Sequence, residues 1–592
     1  MAVTVAAGTL LVAFGFAAAR GGAAWALWPF WAGVVTIFLP ASLRLCAPRA
    51  ATSERVAILS AVAIGLYLIK VLHDPTLFTG YDEFQHWRTA DDILRSGRLF
   101  EANTLLPISA LYPGLEIVTS ALSTLTGLSI FWSGTATIGA AHLLLVLSIY
   151  LLGTHITRSP RFGALAALLY LTNSAAVFFD SLFAYESLAL PLAAFVLYVI
   201  VRSRASGRGN GLLLNGSFVL TAAALVVTHH LTTYMLLGFL TLWTAIVYVR
   251  RFWGAHDPNP LGMTLALAAF AVAWLLFIAW LTINYLTKDT ISGSLEILRI
   301  ILREEGGRLP FQSYGGQYTA PWERLASFAA LGLTLLILLI GAPLIWLRHR
   351  RRALALALAA AALSYPVLLS FRLTRSGTDI SARAPEFLFV AIALVAAIAV
   401  LPRWFSRGPV RAWALCAAAC ATTMLVGGII TGWGPSSTIM PGGWVVEGDS
   451  RSIDAEGLSA AAWAYVALGP GNRFGADRTG RLLFGTYGEQ RIVTNFADHV
   501  ELSPVYTDPA INDFERALLV AGKVAFLEVD LRMSEGLPLY GVYFEPGEEG
   551  GLRHTSPLSR ASLLKFQQMS NVSRLYDNGD IAIYDVRELS GE

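Results

Sequence analysis

Apolar runs of about 20 residues recur along most of this chain, and no other feature limits its fold so strongly. Inside a bilayer each backbone N–H and C=O must be satisfied within the protein, so such runs cross as helices. They fall near residues 4–20, 24–44, 55–72, 133–155, 162–179, 183–202, 212–229, 231–250, 262–285, 327–347, 353–371, 385–402 and 410–431, which predicts about thirteen transmembrane helices. Charged residues make up 14% of the 592, against about 25% in an ordinary soluble domain. A wholly soluble protein is excluded, and the expected fold is a polytopic α-helical membrane protein. The first run has no basic stretch before it and a second follows at once, so it reads as a retained helix and not as a cleaved signal peptide.

Short-loop arginines orient the spans, because Lys and Arg beside a span stay on the cytoplasmic side. Arg44, Arg49 and Arg55, then Arg158 and Arg161, Arg202 to Arg208, Arg250 and Arg251, Arg348 to Arg352, and Arg403 to Arg411 all fall on one face when the spans alternate. This agreement requires the apolar stretch 112–129 to be interfacial or re-entrant. The N-terminus is then cytoplasmic, and the loops 73–132, 286–326 and 372–384 and the tail from about 433 lie outside. Residues 1–432 are expected to form the transmembrane domain, with interfacial helices in the loops 73–132 and 286–326. Residues 433–592 are expected to form a soluble extracytoplasmic α/β domain. In that tail 524–529 reads as a buried strand, Asn578-Gly579 as a hairpin turn before the strand 581–584, and 460–467 as a helix.

Net charge is only +3, which gives no case for nucleic acid. The three cysteines, Cys46, Cys416 and Cys420, lie in or beside apolar segments, so neither a disulfide scaffold nor a Cys-based zinc site is available. No phosphate-cradling loop occurs, and the inner loops are too short for a nucleotide-binding domain, which argues against a self-contained ATP-driven pump.

The first outer loop carries the most chemistry. From Gly80 to Gly97 the residues Phe84, Trp87, Ala90 and Leu94 recur at helical spacing, with Arg88, Asp91, Asp92 and Arg95 on other faces. This predicts an amphipathic helix ending at Gly97 and lying in the membrane interface, with Trp87 at headgroup depth. Asp82 and Glu83 open it. One of two adjacent carboxylates there can accept a proton from a hydroxyl while the other orients it or holds a divalent cation. Equally, Asp82 followed by Gln85 has the form of an N-cap with its capping partner. His86 sits one turn on, as a metal ligand or simply a polar-face residue.

Next come Leu111-Tyr112-Pro113-Gly114-Leu115-Glu116 and an apolar stretch ending in Leu125-Thr126-Gly127. An outer carboxylate pair, an interfacial helix, a Tyr-Pro-led apolar helix ending in Leu-Thr-Gly and a long span ending in cytoplasmic Arg together resemble the GT-C superfamily of membrane glycosyltransferases. The resemblance covers about residues 55 to 402 plus the outer tail. It implies an outward-facing enzyme that uses a polyprenyl-phosphate-linked sugar donor and an envelope glycan, lipid or protein acceptor, most simply with inversion. The family's first-loop acidic motif falls on Asp82 and Glu83, which would make Asp82 the base for the acceptor hydroxyl and Glu83 its support. This chain departs from the usual pattern by placing two spans ahead of the one that leads into that loop. It also lacks the Trp-Trp-Asp signature of the oligosaccharyltransferase branch.

Other outer residues suit a lipid phosphate. Arg372, Arg375 and Arg383 lie in one short outer turn against the positive-inside tendency, and guanidinium forks match phosphate oxygens; contact with lipid headgroups would place them there too. His229 and His230, at the outer end of a span, are candidates for hydrogen bonds to the phosphate or for a hydrated helix end. Tyr185 and Glu186, with Asp180, lie on the same face as acceptor or supporting groups. A divalent metal, Mg²⁺ or Mn²⁺, is the one cofactor for which there is room, and its ligands are not identified. Loop 286–326 reads as an interfacial helix ending at Gly306-Gly307, either a flap or a segment packed on the bilayer. The rival class is a lipid-linked glycan transporter or a non-enzymatic envelope assembly protein. A transporter should carry ionisable groups at mid-membrane, whereas those here gather at one face.

Overall fold

The computed structural model describes the chain apart from residues 104, 206–210, 284–298, 300–301, 303–310, 312–318, 374–377, 407–409, 433–435, 546, 549–553 and 592. The interfacial helix expected in 286–326 and the expected phosphate-binding Arg375 therefore lie outside the described residues, apart from isolated positions of that loop.

Among the described residues, ten helices are long and apolar enough to cross a membrane. The first three are α1 (Ala2–Arg20), α2 (Leu27–Cys46) and α3 (Thr52–His73). They precede two short helices, α4 (Tyr81–Ser96) and α5 (Gly114–Thr126). At 1.5 Å per residue the 13-residue α5 is about 20 Å long, shorter than the ~30 Å hydrocarbon core. As a straight helix α5 is too short to cross that core.

Next follow α6 (Ile130–Thr157), α7 (Pro160–Tyr170), α8 (Tyr185–Ala205), α9 (Gly211–Thr228), α10 (His230–Arg251) and α11 (Leu261–Phe277). The apolar parts of α9 and α11 fall below spanning length as described. The run expected to span 162–179 is helical only to Tyr170. There Thr172 Oγ1 donates to Leu169 O and Asn173 Nδ2 to Tyr170 O, while Asn173 Oδ1 accepts from Ala175 N. Such short polar side chains offer the backbone an alternative to helix. Residues 171–184 then run as a buried irregular segment that carries Asp180 inward.

The last membrane helices are α12 (Pro321–His349), α13 (Ala353–Leu363), α14 (Tyr365–Ser370), α15 (Thr378–Val395), a π-turn at 396–400, α16 (Leu401–Ser406) and α17 (Val410–Ile430). The expected span 353–371 is present over Ala353–Ser370, interrupted only at Ser364, with Pro366 in the first turn of the part that follows.

Beyond α17 a five-stranded sheet forms in the order β2-β1-β3-β5-β4. Strands β1 (Arg473–Gly475) and β2 (Arg491–Ile492) are parallel, as are β1 and β3 (Phe526–Asp530). Strand β5 (Ile581–Asp585) runs antiparallel to both β3 and β4 (Ser573–Asp577). Gly579 turns the β4–β5 hairpin with φ +100°, which glycine adopts without a Cβ penalty. Helices α18 (Ala455–Leu468), α19 (Arg478–Thr486) and α20 (Asp513–Gly522) accompany the sheet. The expected strands at 524–529 and 581–584 and the helix at 460–467 are all present.

The sheet corrects the expected setting of α4. Phe84 is fully buried in a cluster with Ala460, Phe474, Phe484 and Phe526, and Trp87 lies 4.9 Å from the Tyr487 ring. Arg88 Nη1 donates to Gly485 O, Arg481 Nη2 to the Tyr81 hydroxyl, and Arg95 pairs with Glu489. Protein, not lipid, covers much of the apolar face of α4.

Helix α5 is held close to the bundle by Gly114, where a Cβ would come within 2.2 Å of Thr228 Oγ1 and 2.8 Å of Thr228 Cα. Gly114→Val should therefore push α5 off the end of α9 and cost about 1–3 kcal/mol of stability, as overpacking does. Thermal unfolding of the purified protein in detergent checks this.

Candidate active site

The two carboxylates that open α4 point to different environments. The N-cap of α4 is Gly80, and Glu83 at N3 closes the capping box, so the capping acid is Glu83 and not Asp82 as the Asp82–Gln85 spacing had it. Glu83 Oε2 accepts from Gly80 N at 2.8 Å and Thr79 N at 3.1 Å. Its Oε1 takes Lys70 Nζ at 2.5 Å and Phe183 N at 2.8 Å. Four donors saturate a fully buried carboxylate. Lys70, in the last turns of α3, needs that partner because a buried ammonium left alone is costly.

Asp82 turns the other way. Its Oδ1 accepts from Gln85 Nε2 at 3.2 Å, and its Oδ2 lies 3.3 Å from Arg383 Nη2. The other arm of Arg383 pairs with Glu186 Oε1, and the guanidinium lies 5.2 Å from the Phe179 ring centroid. Glu186 Oε1 is also 3.4 Å from His229 Nε2, whose Nδ1 is 2.8 Å from Thr232 Oγ1. Glu186 Oε2 is buried and has no hydrogen-bond partner among the described residues.

An aromatic group extends the cluster. The Tyr185 ring lies 4.5 Å from His86, 4.2 Å from His229 and 6.1 Å from His230. His86 Nδ1 bonds Glu116 Oε1 at 2.6 Å, with both side chains fully buried, and its Nε2 faces Tyr185 N at 3.5 Å. Tyr112 lies 4.9 Å from His230, and its hydroxyl is 3.1 Å from Thr282 Oγ1. Beside the cluster, Asp180 accepts from Tyr170 and bonds Glu386, and burial pushes its carboxyl up to about 6.

Asp82, His86, Tyr185, Glu186, His229, His230 and Arg383, all candidates from sequence, thus come together. Arg372 is placed differently, donating from Nη2 to Thr431 O at the end of α17. Sequence reasoning passed over Lys70, Glu116 and Glu386. The available signal was a lone ionisable residue within or beside an apolar segment, which is seldom idle.

The sheet holds a second acidic group. Carboxylate oxygens of Asp477, Glu528 and Asp530 lie within 4.8 Å of one another, all buried. Oxygen donors of this kind suit a hard divalent cation. Protein groups already engage them: Asp477 Oδ1 caps α19 through Gly480 N at 2.5 Å, and both Asp530 oxygens hold Arg532. This group belongs to the sheet and includes neither Asp82 nor Glu83, the pair suggested by sequence for a cation.

No family model and no curated protein sequence matches the chain. Solved structures do. ArnT from Cupriavidus metallidurans, determined bound to undecaprenyl phosphate, superposes with a TM-score of 0.50 at 13% identity, over 92% of this chain and all of ArnT. The chain has the GT-C fold. The mycobacterial arabinofuranosyltransferase AftD also matches, with a TM-score of 0.50 at 14% identity over 91% of this chain. This chain spans only 42% of AftD. At these identities the likeness is one of fold.

Burial pushes Asp477 up to about 6, and burial with the charges of Asp477 and Asp530 holds Glu528 well above the usual carboxylate range. Carboxyls whose folded pKa is raised contribute stability below their unfolded pKa and lose it as pH rises through the folded one. The purified protein should therefore unfold at a lower temperature at pH 8.0 than at pH 5.5, through the window around 6 set by Asp477. Glu528→Gln should narrow that difference, and thermal unfolding at the two pH values measures it.

Proposed function

We propose that this chain is a membrane glycosyltransferase that moves a sugar from a polyprenyl-phosphate donor to an envelope glycan, lipid or protein acceptor on the outer face of a cell membrane. The observation that carries the reading is the convergence of Asp82, Glu186 and Arg383, which come from three segments far apart in sequence, around one guanidinium. The GT-C fold supports it, and the arginine-rich short loops at the other end of the bundle support an outward-facing site.

Asp82 is the base. Its carboxylate takes the proton of the acceptor hydroxyl as that oxygen attacks the anomeric carbon, and the bond from that carbon to the phosphate oxygen breaks. The electron pair leaves on the lipid phosphate, where Arg383 offers donors in fork geometry to the developing charge. Attack from the face opposite the phosphate inverts the anomeric centre. Glu186, itself 3.4 Å from His229 Nε2, holds Arg383 by the arm that does not face Asp82. Glu83 takes a structural part: with four protein donors on its oxygens it fixes the start of α4 and so aims Asp82. No step needs a metal, and the sheet docked on α4 shapes the acceptor side.

In lipid nanodiscs with a polyprenyl-phosphate-sugar donor, Asp82→Asn should lower the transfer rate by about 10²–10⁴-fold while leaving the unfolding temperature within a degree or two, the range expected for loss of a general base. Glu83→Gln should instead lower the unfolding temperature, because it leaves Lys70 buried without its counter-charge. Transfer by Asp82→Asn at the native rate would remove Asp82 from this role.

A further inference from the structure

Two buried groups beside Asp82 have no part in the proton and phosphate chemistry above. His86 stands one turn of α4 beyond Asp82, so a carboxylate and an imidazole, each able to serve as a base, arise from one face of one helix. Glu116 comes from the first turn of α5 and meets His86: its Oε1 is 2.6 Å from Nδ1, with both side chains fully buried. Glu116 Oε2 has no hydrogen-bond partner among the described residues. A buried carboxylate with a single bond is costly, and an apolar pair of the same volume would serve packing at least as well. Packing therefore gives no reason for this pair.

The second ring nitrogen of His86 fixes what the pair does. Tyr185 N–H is directed at Nε2 with 3.5 Å between the nitrogens. A main-chain amide always donates, so Nε2 must present a lone pair and the ring proton sits on Nδ1, where the Glu116 carboxylate accepts it. That proton and that lone pair are both committed to the protein, so His86 is not a second base, which leaves that role to Asp82. Edge-to-face contact with the Tyr185 ring, at 4.5 Å and 72°, keeps the imidazole in this orientation. Tyr185 opens α8, and its N–H is one of those that a helix start leaves without a partner in the helix. Three positions before His86 on α4, Glu83 Oε1 accepts from Phe183 N at 2.8 Å. Helix α4 thus holds the chain entering α8 at two alternate amides, through Glu83 and through His86. The next residue, Glu186, carries Arg383.

We propose that Glu116 and His86 are positioning residues for the site: Glu116 keeps the His86 proton on Nδ1, and His86 Nε2 holds the start of α8 where Glu186 presents Arg383 to the donor phosphate. The inference rests on the sugar-transfer reading, and neither residue touches the reacting bond. Without Glu116 the ring loses its acceptor for Nδ1–H and is free to turn, and the amide of Tyr185 loses its partner. Glu186 and Arg383 then shift against Asp82, and a displacement of about 1 Å at such a site costs as much as about 10²-fold in rate.

The probe is undecaprenyl phosphate, which carries the lipid and the phosphate of the proposed donor without its sugar, titrated against the full-length protein in phosphatidylcholine nanodiscs. Arg383→Gln sets the scale and should weaken binding at least about tenfold. Glu116→Leu should weaken it at least about fivefold without lowering the unfolding temperature, and Glu116→Gln, whose amide oxygen still accepts the Nδ1 proton, should stay within about twofold of the unaltered protein. Combined with Arg383→Gln, Glu116→Leu should add less than about twofold, because its effect runs through that guanidinium. Nitrogen-15 NMR of the histidine-labelled protein, with His86→Asn to identify the signal, should show a proton on Nδ1 and none on Nε2. Undiminished binding by Glu116→Leu where Arg383→Gln binds poorly, full additivity of the two changes, or a proton on His86 Nε2 overturns this inference and leaves the sugar-transfer reading standing. No binding by the unaltered protein, or full binding by Arg383→Gln, counts against that reading and removes the inference with it.

Discussion

An arginine cannot shed its proton under any condition a cell offers, so Arg383, set among buried side chains, must be met by negative charge. It is met by two carboxylates, Asp82 from the short helix α4 and Glu186 from the first turn of α8. That requirement draws α4, α8 and α15 to one point, and the remaining site residues arrange themselves around it. His229 closes on Glu186, Tyr185 meets His229 and His86 in edge-to-face contacts, and Glu116 bonds His86 through Nδ1. A site assembled from five segments needs such a centre, because packing alone does not favour bringing so many polar groups together.

The neighbouring acids Asp82 and Glu83 show how environment divides labour between identical chemical groups. Glu83 is enclosed by two backbone amides before α4, an ammonium from α3 and an amide from the segment before α8. Its lone pairs are spent on holding α4. Asp82 faces a side-chain amide and a shared guanidinium, and neither of these contacts holds the helix start. The sheet then braces α4 from the opposite side through Phe84, Tyr81 and Arg88. Asp82 is thus aimed by both halves of the molecule.

Much of this was readable in the chain. The spans declared themselves by length and apolarity, the β4–β5 hairpin by Asn578-Gly579, Asp82 by the acid pair that opens an amphipathic helix, and Glu186, His229 and Arg383 by being ionisable groups beside apolar segments. Periodicity in α4 revealed an apolar face but not what covers it, since lipid and protein select the same residues; Phe84 and Trp87 meet the sheet. Which of Asp82 and Glu83 caps α4 was similarly hidden, because capping by Glu83 depends on where the helix begins, and Gly80 as N-cap leaves no strong signal. Lys70 and Glu116 find their partners across 13 and 30 residues, and only the folded chain shows those pairings. The early end of α7 arises from competing side-chain bonds at Thr172 and Asn173, which an apolar average over 162–179 smooths away.

The central claim is that Arg383 and Asp82 together face the reacting bond of a lipid-borne sugar. The most direct measurement is a cryo-electron microscopy map of the protein in nanodiscs with a non-hydrolysable polyprenyl-phosphonate sugar. The account predicts phosphonate density within hydrogen-bonding distance of the Arg383 guanidinium and the anomeric carbon on the side of Asp82. Density for the phosphonate at another part of the outer surface, with Arg383 still clasped between Asp82 and Glu186, would contradict it.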